Sequence, residues 1–381
     1  MSSPQDAPAL AARALAHLKA GTTDQAADVM RVPIEHYTDE ARYAHDVERI
    51  FRRLPITFGL SVEVPEPGSY LAQTVAQTPV LVVRGNDGVL RAFLNACRHR
   101  GAPVCPDGSG RTLRFVCPYH SWTYDRQGAL VNLTARDTFG NVDTDTLGLT
   151  PLPCVERAGL IWVCLTPGLS FDIDAWLGDF APLLESLRLH DWHLYARRDL
   201  AGAGWRVTMD GYLEVYHHDT VHGATVGSQT IGNLLVHDVY GPHQRMVFGR
   251  RTLRDIDTPP TDPVDAESRI RRIHAGFPNL SVSGILGGYC LVSHIFPGAS
   301  AGTTLTRQTV LTATPPRSDA EKAAAEAFSD LALRAVRDED YSLAFSIQKN
   351  LSCGANTHLL LGRNEPAVQH YHRMVAKYAG G

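Results

Sequence analysis

The chain is predicted to be α+β and built from two domains, and three observations carry that expectation. Between Pro55 and Pro167, short apolar runs alternate with Gly, Pro and Asp turns, which is the pattern of a small antiparallel β domain. Beyond Pro167, strand-like runs precede one long helical stretch, as in a large antiparallel sheet curled around helices. Each region also carries its own cluster of metal-ligating side chains. A length of 381 residues, 44% hydrophobic and 20% charged, is enough for two substantial cores.

In chain order, Ala7 to Lys19 is rich in Ala and Leu and reads as a short helix, stopped at Gly21. Thr38 and Asp39 are cap candidates ahead of Tyr43, Val47, Ile50 and Phe51, an apolar stripe at helical spacing. The runs SYLAQTVA, PVLVVRG, LRAFLNA, LRFVCP, TYDRQGAL and GLIWVCL follow as strands, with Asn86-Asp87-Gly88 and Asp125 to Gly128 as hairpin turns. Later strands are expected at Leu234 to Tyr240, Arg245 to Leu253, Leu280 to Leu286, Tyr289 to Phe296 and Thr303 to Thr314. A long helix is expected over Ser318 to Ile347, capped by Ser318 and Glu321.

The first metal motif is Cys97-x-His99, followed by Cys117-x-x-His120. Cys and His at such spacing commonly mean zinc. Zinc fingers, however, pair Cys with Cys and His with His, whereas here each arm carries one of each. That arrangement suits a [2Fe-2S] cluster in which two thiolates hold one iron and two imidazoles the other. Arg98, Arg100, Tyr119 and Trp122 flank the ligands with charge and aromatic cover. Both arms fall on loops between strands, which puts the centre near the surface, where an electron-transfer partner can reach it.

The second cluster lies in Asp210 to His222, with His217, His218 and His222 beside Asp210, Glu214 and Asp219. Two His and one carboxylate around Fe(II), with open positions, is what dioxygen chemistry requires. Residues five apart on an ideal helix diverge by about 140°, so His217 and His222 can face one ion only if the helix loosens between them. Taken alone, the segment reads as a His-rich helix face hydrogen-bonded to its neighbours, and only the first cluster tips the reading toward a metal.

The segments NACRHRGAPV, CPYHSWTYDRQGAL and DGYLEVYHHDTVH together resemble the Rieske non-haem iron ring-hydroxylating oxygenases, alpha-subunit type, from about Val32 to Gln348. The resemblance implies residues 55–167 as the Rieske [2Fe-2S] domain, with 168–381 and the helices of 1–54 as a helix-grip, START-like catalytic domain. It implies Cys97, His99, Cys117 and His120 as cluster ligands, and His217 and His222 as ligands of mononuclear Fe(II), with His218 the competing candidate. RDEDYSLAFSIQ resembles the family's late carboxylate motif and points to Asp340 ahead of Gln348 as the third ligand, Asp338 and Glu339 remaining alternatives. Glu214 stands where the family carries a carboxylate linking a cluster His of one subunit, His120 or His99, to the iron His of its neighbour, here His217. Asp210 falls near the iron in the same motif. Gly204-Trp205-Arg206 departs from the family's Asn-Trp-Lys. The implied assembly is a homotrimer served by a separate ferredoxin or flavin reductase, because the chain has no flavin or nicotinamide motif.

Other classes are excluded by composition. A net charge of −4 offers no basic excess for nucleic acid or an anionic membrane. No apolar run approaches the roughly 20 residues that cross a bilayer, and no signal pattern opens the chain, so a cytoplasmic protein is expected. Seven Cys in that setting read mainly as buried thiols, and Cys105, inside the first cluster loop, has no second loop Cys to pair with. The expected activity is O2-dependent hydroxylation or demethylation. The helix around Asp210 to Val226 and the strands GFPNLSVSGIL and YCLVSHIF are expected to line the cavity and to favour an apolar or aromatic substrate. The rival is a helix-grip carrier with a vestigial Rieske domain.

Overall fold

The computed structural model describes residues 6–286 and 288–380, so the first five residues and the last one of the expected domains lie outside the described residues. The chain falls into two compact units: one runs up to Ile50 and resumes at Leu177, and the other is Phe51–Trp176.

The Phe51–Trp176 unit is built on antiparallel sheets with short helical turns between strands. A five-stranded sheet orders Pro151–Leu152, Leu90–Leu94, Thr78–Arg84, Ser69–Val75 and Gly108–Arg111. A three-stranded sheet joins Cys154–Arg157, Leu160–Val163 and Ile56–Leu60, and a second joins Phe115–Val116, Thr123–Tyr124 and Leu130–Asn132. The β-branched run of Thr78–Arg84 is buried on both faces, with Val80, Leu81, Val82 and Val83 fully enclosed, which is why it sits at the centre of its sheet. Leu81, Val83, Phe93, Phe115, Trp122 and Tyr124 build one core with Cys97 and Cys117. The two thiols are therefore fixed by packing against the strands that flank their loops.

The larger unit centres on a seven-stranded antiparallel sheet. Its order is His193–Gly202, Thr304–Thr312, Tyr289–Pro297, Leu280–Leu286, Ile270–Gly276, His243–Arg250 and Thr230–Tyr240. Two of these, His193–Gly202 and Ile270–Gly276, were not expected. Their sequences, HLYARRDLAG and IRRIHAG, carry charges on both faces and so lack the apolar alternation that marks a strand. The helix Ala7–Ala20 covers one face of the sheet through Leu10, Ala14 and Leu15, packed on Val236, Val247 and Ile270.

The long C-terminal helix starts where expected. The Ser318 side chain accepts from the Glu321 amide, and Glu321 returns the bond. The α-helix Asp319–Leu333 then widens into a π-helical turn, Arg334–Asp340, before Tyr341–Leu351 resumes the α form. A π turn shifts the side-chain register by one residue, and here it falls on the acidic run Asp338-Glu339-Asp340.

Asp39 caps the helix Glu40–Asp46 by accepting from the Arg42 amide. Asp46 at its end forms a fully buried ion pair with Arg206, at 2.6 Å, which ties the N-terminal helices to the segment that leads into the His cluster. Gly204 admits no side chain: a Cβ there would lie 2.2 Å from the Ala301 carbonyl oxygen and 2.6 Å from Gln348 Oε1. Its amide donates to that same Gln348 oxygen. Among the described residues no helix is long and apolar enough to cross a membrane.

Candidate metal centres and active site

The two arms of the first motif have the same local build. In each, an amide four residues after the Cys donates to the Cys carbonyl: Gly101 to Cys97 at 2.8 Å, and Ser121 to Cys117 at 2.9 Å. Both donors sit at positive φ, 78° and 58°, which closes each arm into a tight loop. Cys97 and Cys117 are buried while His99 and His120 reach the surface. The two imidazoles approach with their Nδ1 atoms 3.1 Å apart. The Tyr124 hydroxyl lies 3.2 Å from the Cys97 sulfur and accepts from the Arg98 amide. Trp122 stacks on His99 at 4.9 Å and 10°. Two buried sulfurs, with two half-buried imidazoles whose Nδ1 atoms come together, are a donor set that would hold a [2Fe-2S] cluster, the thiolates on one iron and the imidazoles on the other. Cys105 is a free buried thiol, its pKa pushed up to about 12 by burial first and the nearby Asp107 second.

The second motif is not one helix. Trp205–Tyr212 ends before Leu213, and a separate turn begins at His218–Val221. This break removes the 140° divergence that an unbroken helix would impose. His217 Nε2 and His222 Nε2 come within 3.2 Å of each other. Asp340 Oδ1, delivered by the π turn, lies 2.9 Å from His222 Nε2 and 3.5 Å from His217 Nε2. Ligands at right angles on a metal with bonds of about 2.1 Å stand about 3 Å apart, so these three atoms have the spacing of one face of a coordination octahedron.

The other imidazole nitrogens are each taken by a carboxylate. His217 Nδ1 bonds Glu214 Oε1, and Glu214 Oε2 accepts from the Tyr216 and His217 amides. His222 Nδ1 lies 2.6 Å from Glu339 Oε2, which also accepts from the Thr225 hydroxyl at 2.5 Å. A carboxylate accepts, so an Nδ1 proton on each ring is held by Glu214 or Glu339, which leaves the Nε2 atoms available as ligands. Two imidazole Nε2 atoms and a carboxylate oxygen converging on one point match the donor set and spacing of a bound metal ion, and that is the fit of this site.

The remaining candidates are distributed as follows. Asp338 turns outward to Arg337, at 2.6 Å. His218 has ligand-capable atoms within 4.8 Å of those of His217 and His222, but its ring is packed edge-on against Phe248 and offers an imidazole where the triad needs a carboxylate. Asp210 does not bond either iron-site imidazole. One of its oxygens takes the Tyr37 hydroxyl at 2.7 Å and the other meets His372 Nε2 at 2.8 Å.

A cavity of about 360 Å³ opens beside the trio, lined by Tyr212, Glu214, His217, His222 and Asp340. The expected segments contribute Val226, Ser281, Ser283, Tyr289 and Leu291. Three further elements line it that were not expected to: the long helix with its π turn, with Phe328 and Val336, and the strands His243–Arg250 and Ile270–Gly276, with Phe248, Arg250 and Arg271. Glu339 and Thr225 were likewise missed as the pair that orients His222. Only the run of three acidic residues signalled the first, and nothing in the sequence signalled the second.

Two family models match the chain. The Rieske [2Fe-2S] domain matches residues 56–153, and the catalytic domain of the ring hydroxylating alpha subunit matches residues 189–381. The chain is 27% identical over 369 residues to the carnitine monooxygenase oxygenase subunit of Escherichia coli, covering 91% of this chain and 93% of that protein. It is 30% identical over 229 residues to the glycine betaine monooxygenase oxygenase subunit of Chromohalobacter salexigens, covering 58% of this chain and 51% of the relative. A solved quaternary ammonium Rieske monooxygenase with L-carnitine bound superposes at a TM-score of 0.78 with 24% identity, over 92% of this chain and 96% of that one, a likeness of fold. With a Rieske domain ahead of the matched catalytic domain, this chain belongs to the ring-hydroxylating oxygenase alpha-subunit family.

Proposed function

We propose that the chain is the oxygenase component of a cytoplasmic Rieske non-haem iron system. Cys97, His99, Cys117 and His120 would hold the [2Fe-2S] cluster, and His217, His222 and Asp340 one ferrous iron. When bound, the cluster passes single electrons and the iron activates O2 at the positions its three protein ligands leave open. The observation that carries this reading is the convergence of His217 Nε2, His222 Nε2 and Asp340 Oδ1, with both Nδ1 atoms closed off by carboxylates.

Each carboxylate has its own task. Glu339, itself steadied by Thr225, fixes the tautomer and ring plane of His222. Glu214 does the same for His217, and three of the roughly four acceptor positions of its carboxylate are used within its own turn. The remaining position is open to a cluster imidazole, His120 or His99, of a neighbouring copy, which is the role the family resemblance implies within a homotrimer. Exposed Tyr216, Leu343, Phe345, Ile347 and Leu360 provide apolar surface for such a contact. Asp210 is a positioning residue: through Tyr37 and His372 it holds the end of the Trp205–Tyr212 helix against the N-terminal and C-terminal helices. A separate ferredoxin or flavin reductase supplies the electrons.

The substrate class follows the cavity and the relatives. Phe248, Tyr289 and Phe328 line the cavity, with Tyr289 and Phe328 stacked at 5.1 Å, and aromatic walls receive methylated ammonium groups as well as hydrocarbon rings. The carnitine and glycine betaine relatives favour an N-methylated substrate, hydroxylated or demethylated. A purely aromatic substrate is the second reading, favoured by Leu291, Leu331 and Val336 on the same wall.

The test is 18O2 turnover of the purified protein with NADH and a surrogate reductase. Candidate substrates are L-carnitine, glycine betaine, choline and naphthalene. Substrate-dependent oxygen uptake, with 18O in the organic product or a methyl group lost as formaldehyde, is expected. Electron transfer to the protein without any product across an extended metabolite panel would favour the carrier with a vestigial Rieske domain.

A further inference from the structure

The strands His243–Arg250 and Ile270–Gly276 carry four arginines, and the sheet register sorts them onto two faces. Phe248 pairs with Arg271 and Val247 with Arg272, so Phe248, Arg250 and Arg271 share one face of the sheet while Arg245 and Arg272 share the other, and the cavity is lined by Phe248, Arg250 and Arg271 together with the Arg272–Glu267 ion pair. On that opposite face every arginine is neutralised. Arg245 pairs with Asp6 and Asp238, and Arg272 with Asp6 and Glu267.

On the first face, among the described residues, neither arginine has a carboxylate hydrogen-bonded to it. Arg271 donates once, to the neutral Gln229 oxygen at 3.2 Å, and Arg250 has no hydrogen-bonded carboxylate among the described residues. The Nε atom of each is buried without an acceptor. Glu267, the carboxylate whose charge reaches Arg250, makes its own ion pair with Arg272. Burial first, and the charge of Arg250 second, hold the Arg271 pKa down at about 10, and burial lowers that of Arg250; guanidiniums are charged at neutral pH. Two partly buried cations side by side raise each other's energy, and unpaired buried donors cost more. Such an arrangement is favourable only when an anion completes it.

We propose that the substrate carries a carboxylate seated between Arg250 and Arg271, with its oxidisable end toward His217, His222 and Asp340. This rests on the reading of the cavity as the oxygenase's substrate chamber. A guanidinium pair matches a carboxylate because each offers a planar fork of N–H donors. Phe248, one residue pair before Arg250 on the same face, and the stacked Tyr289 and Phe328 pack the body of the molecule. Gly284 helps to shape that part of the wall: at φ +70° it brings the Phe328 ring so close that a Cβ would lie 3.0 Å from it. The preferred molecule is therefore amphiphilic, anionic at one end and apolar or N-methylated at the other.

Calorimetric titration of the holoenzyme, without reductant, tests this. The probes are L-carnitine, glycine betaine, 3-phenylpropanoate and octanoate, each beside its own methyl ester. At least one acid is expected to bind at least tenfold more tightly than its ester, about 1.4 kcal/mol. In Arg250→Gln and in Arg271→Gln that preference is expected to fall below about threefold, with a thermal midpoint no lower than that of the parent, because an unpaired buried charge has been removed. The proposal is overturned if no acid outbinds its ester, or if the preference survives in both variants. It is also overturned if both variants lose more than about 5 °C, which would make the pair structural. Binding is read without turnover. A coloured, iron-replete protein indifferent to esterification removes this proposal alone, whereas an iron-free protein that still prefers acids removes the oxygenase reading alone.

Discussion

Asp340→Ala is expected to purify with the visible spectrum of an intact cluster but without its mononuclear iron, and to turn over no substrate. The carboxylate is the only anion of the three converging groups, 2.9 Å from one imidazole Nε2 and 3.5 Å from the other. Two neutral imidazoles alone are a poor site for a hard, partly hydrated Fe(II) ion. Asp338→Ala serves as the control, since Asp338 is exposed and engaged with Arg337, and it is expected to keep both iron and activity. Glu339→Gln falls between them, with iron affinity weakened about 10- to 100-fold through the loosened His222 ring. Iron analysis of the three variants separates these outcomes. Unchanged iron in Asp340→Ala would move the third ligand to Glu339 or His218.

Glu214→Gln is the second large effect, and its signature is the reverse: full metal content with turnover depressed about 100-fold. The carboxylate now accepts from the His217 ring and from two backbone amides. A carboxamide has one acceptor oxygen, so its NH2 group would face amide donors, and it carries no charge to stabilise a protonated imidazole partner. His217 keeps its place through the chain, and iron is retained, but the orientation and polarisation of its ring are lost. Single-turnover reduction of the iron by a pre-reduced cluster reads this step directly. A variant with near-normal turnover and rate would take the linking role away from Glu214.

How much of this was legible in the sequence depended on whether the chemistry was local. Cys97, His99, Cys117 and His120 lie in two short loops, each with one Cys and one His, which suggested the pairing of thiolates and imidazoles, and most strands around them read as short apolar runs, Gly108–Arg111 (GSGR) being the exception. His217 and His222 were visible as ligand types, and the need for a broken helix between them was visible too, because geometry forbids the alternative. What could not be read was which acidic residue of Asp338, Glu339 and Asp340 faces the site. A single π turn decides that, and no propensity marks where an α-helix widens. Arg250 and Arg271 were hidden for a related reason: their role depends on cross-strand register, and Ile270–Gly276 did not read as a strand. The helix Pro366–Ala379 was also passed over, although Val368, Tyr371, Val375 and Ala379 form an apolar stripe at helical spacing; Gln369, His370 and His372, buried beside it, break up the pattern. Asp210 was expected near the iron by its place in the motif, yet its contacts run to Tyr37 and His372, from opposite ends of the chain.

The account stands on one chain holding two different iron centres. Iron and acid-labile sulfide, quantified per polypeptide in anaerobically purified protein, measure this most directly. About three irons and about two sulfides per chain are predicted, one [2Fe-2S] cluster and one lone iron. A colourless protein with no sulfide, or with zinc in place of iron, would contradict it.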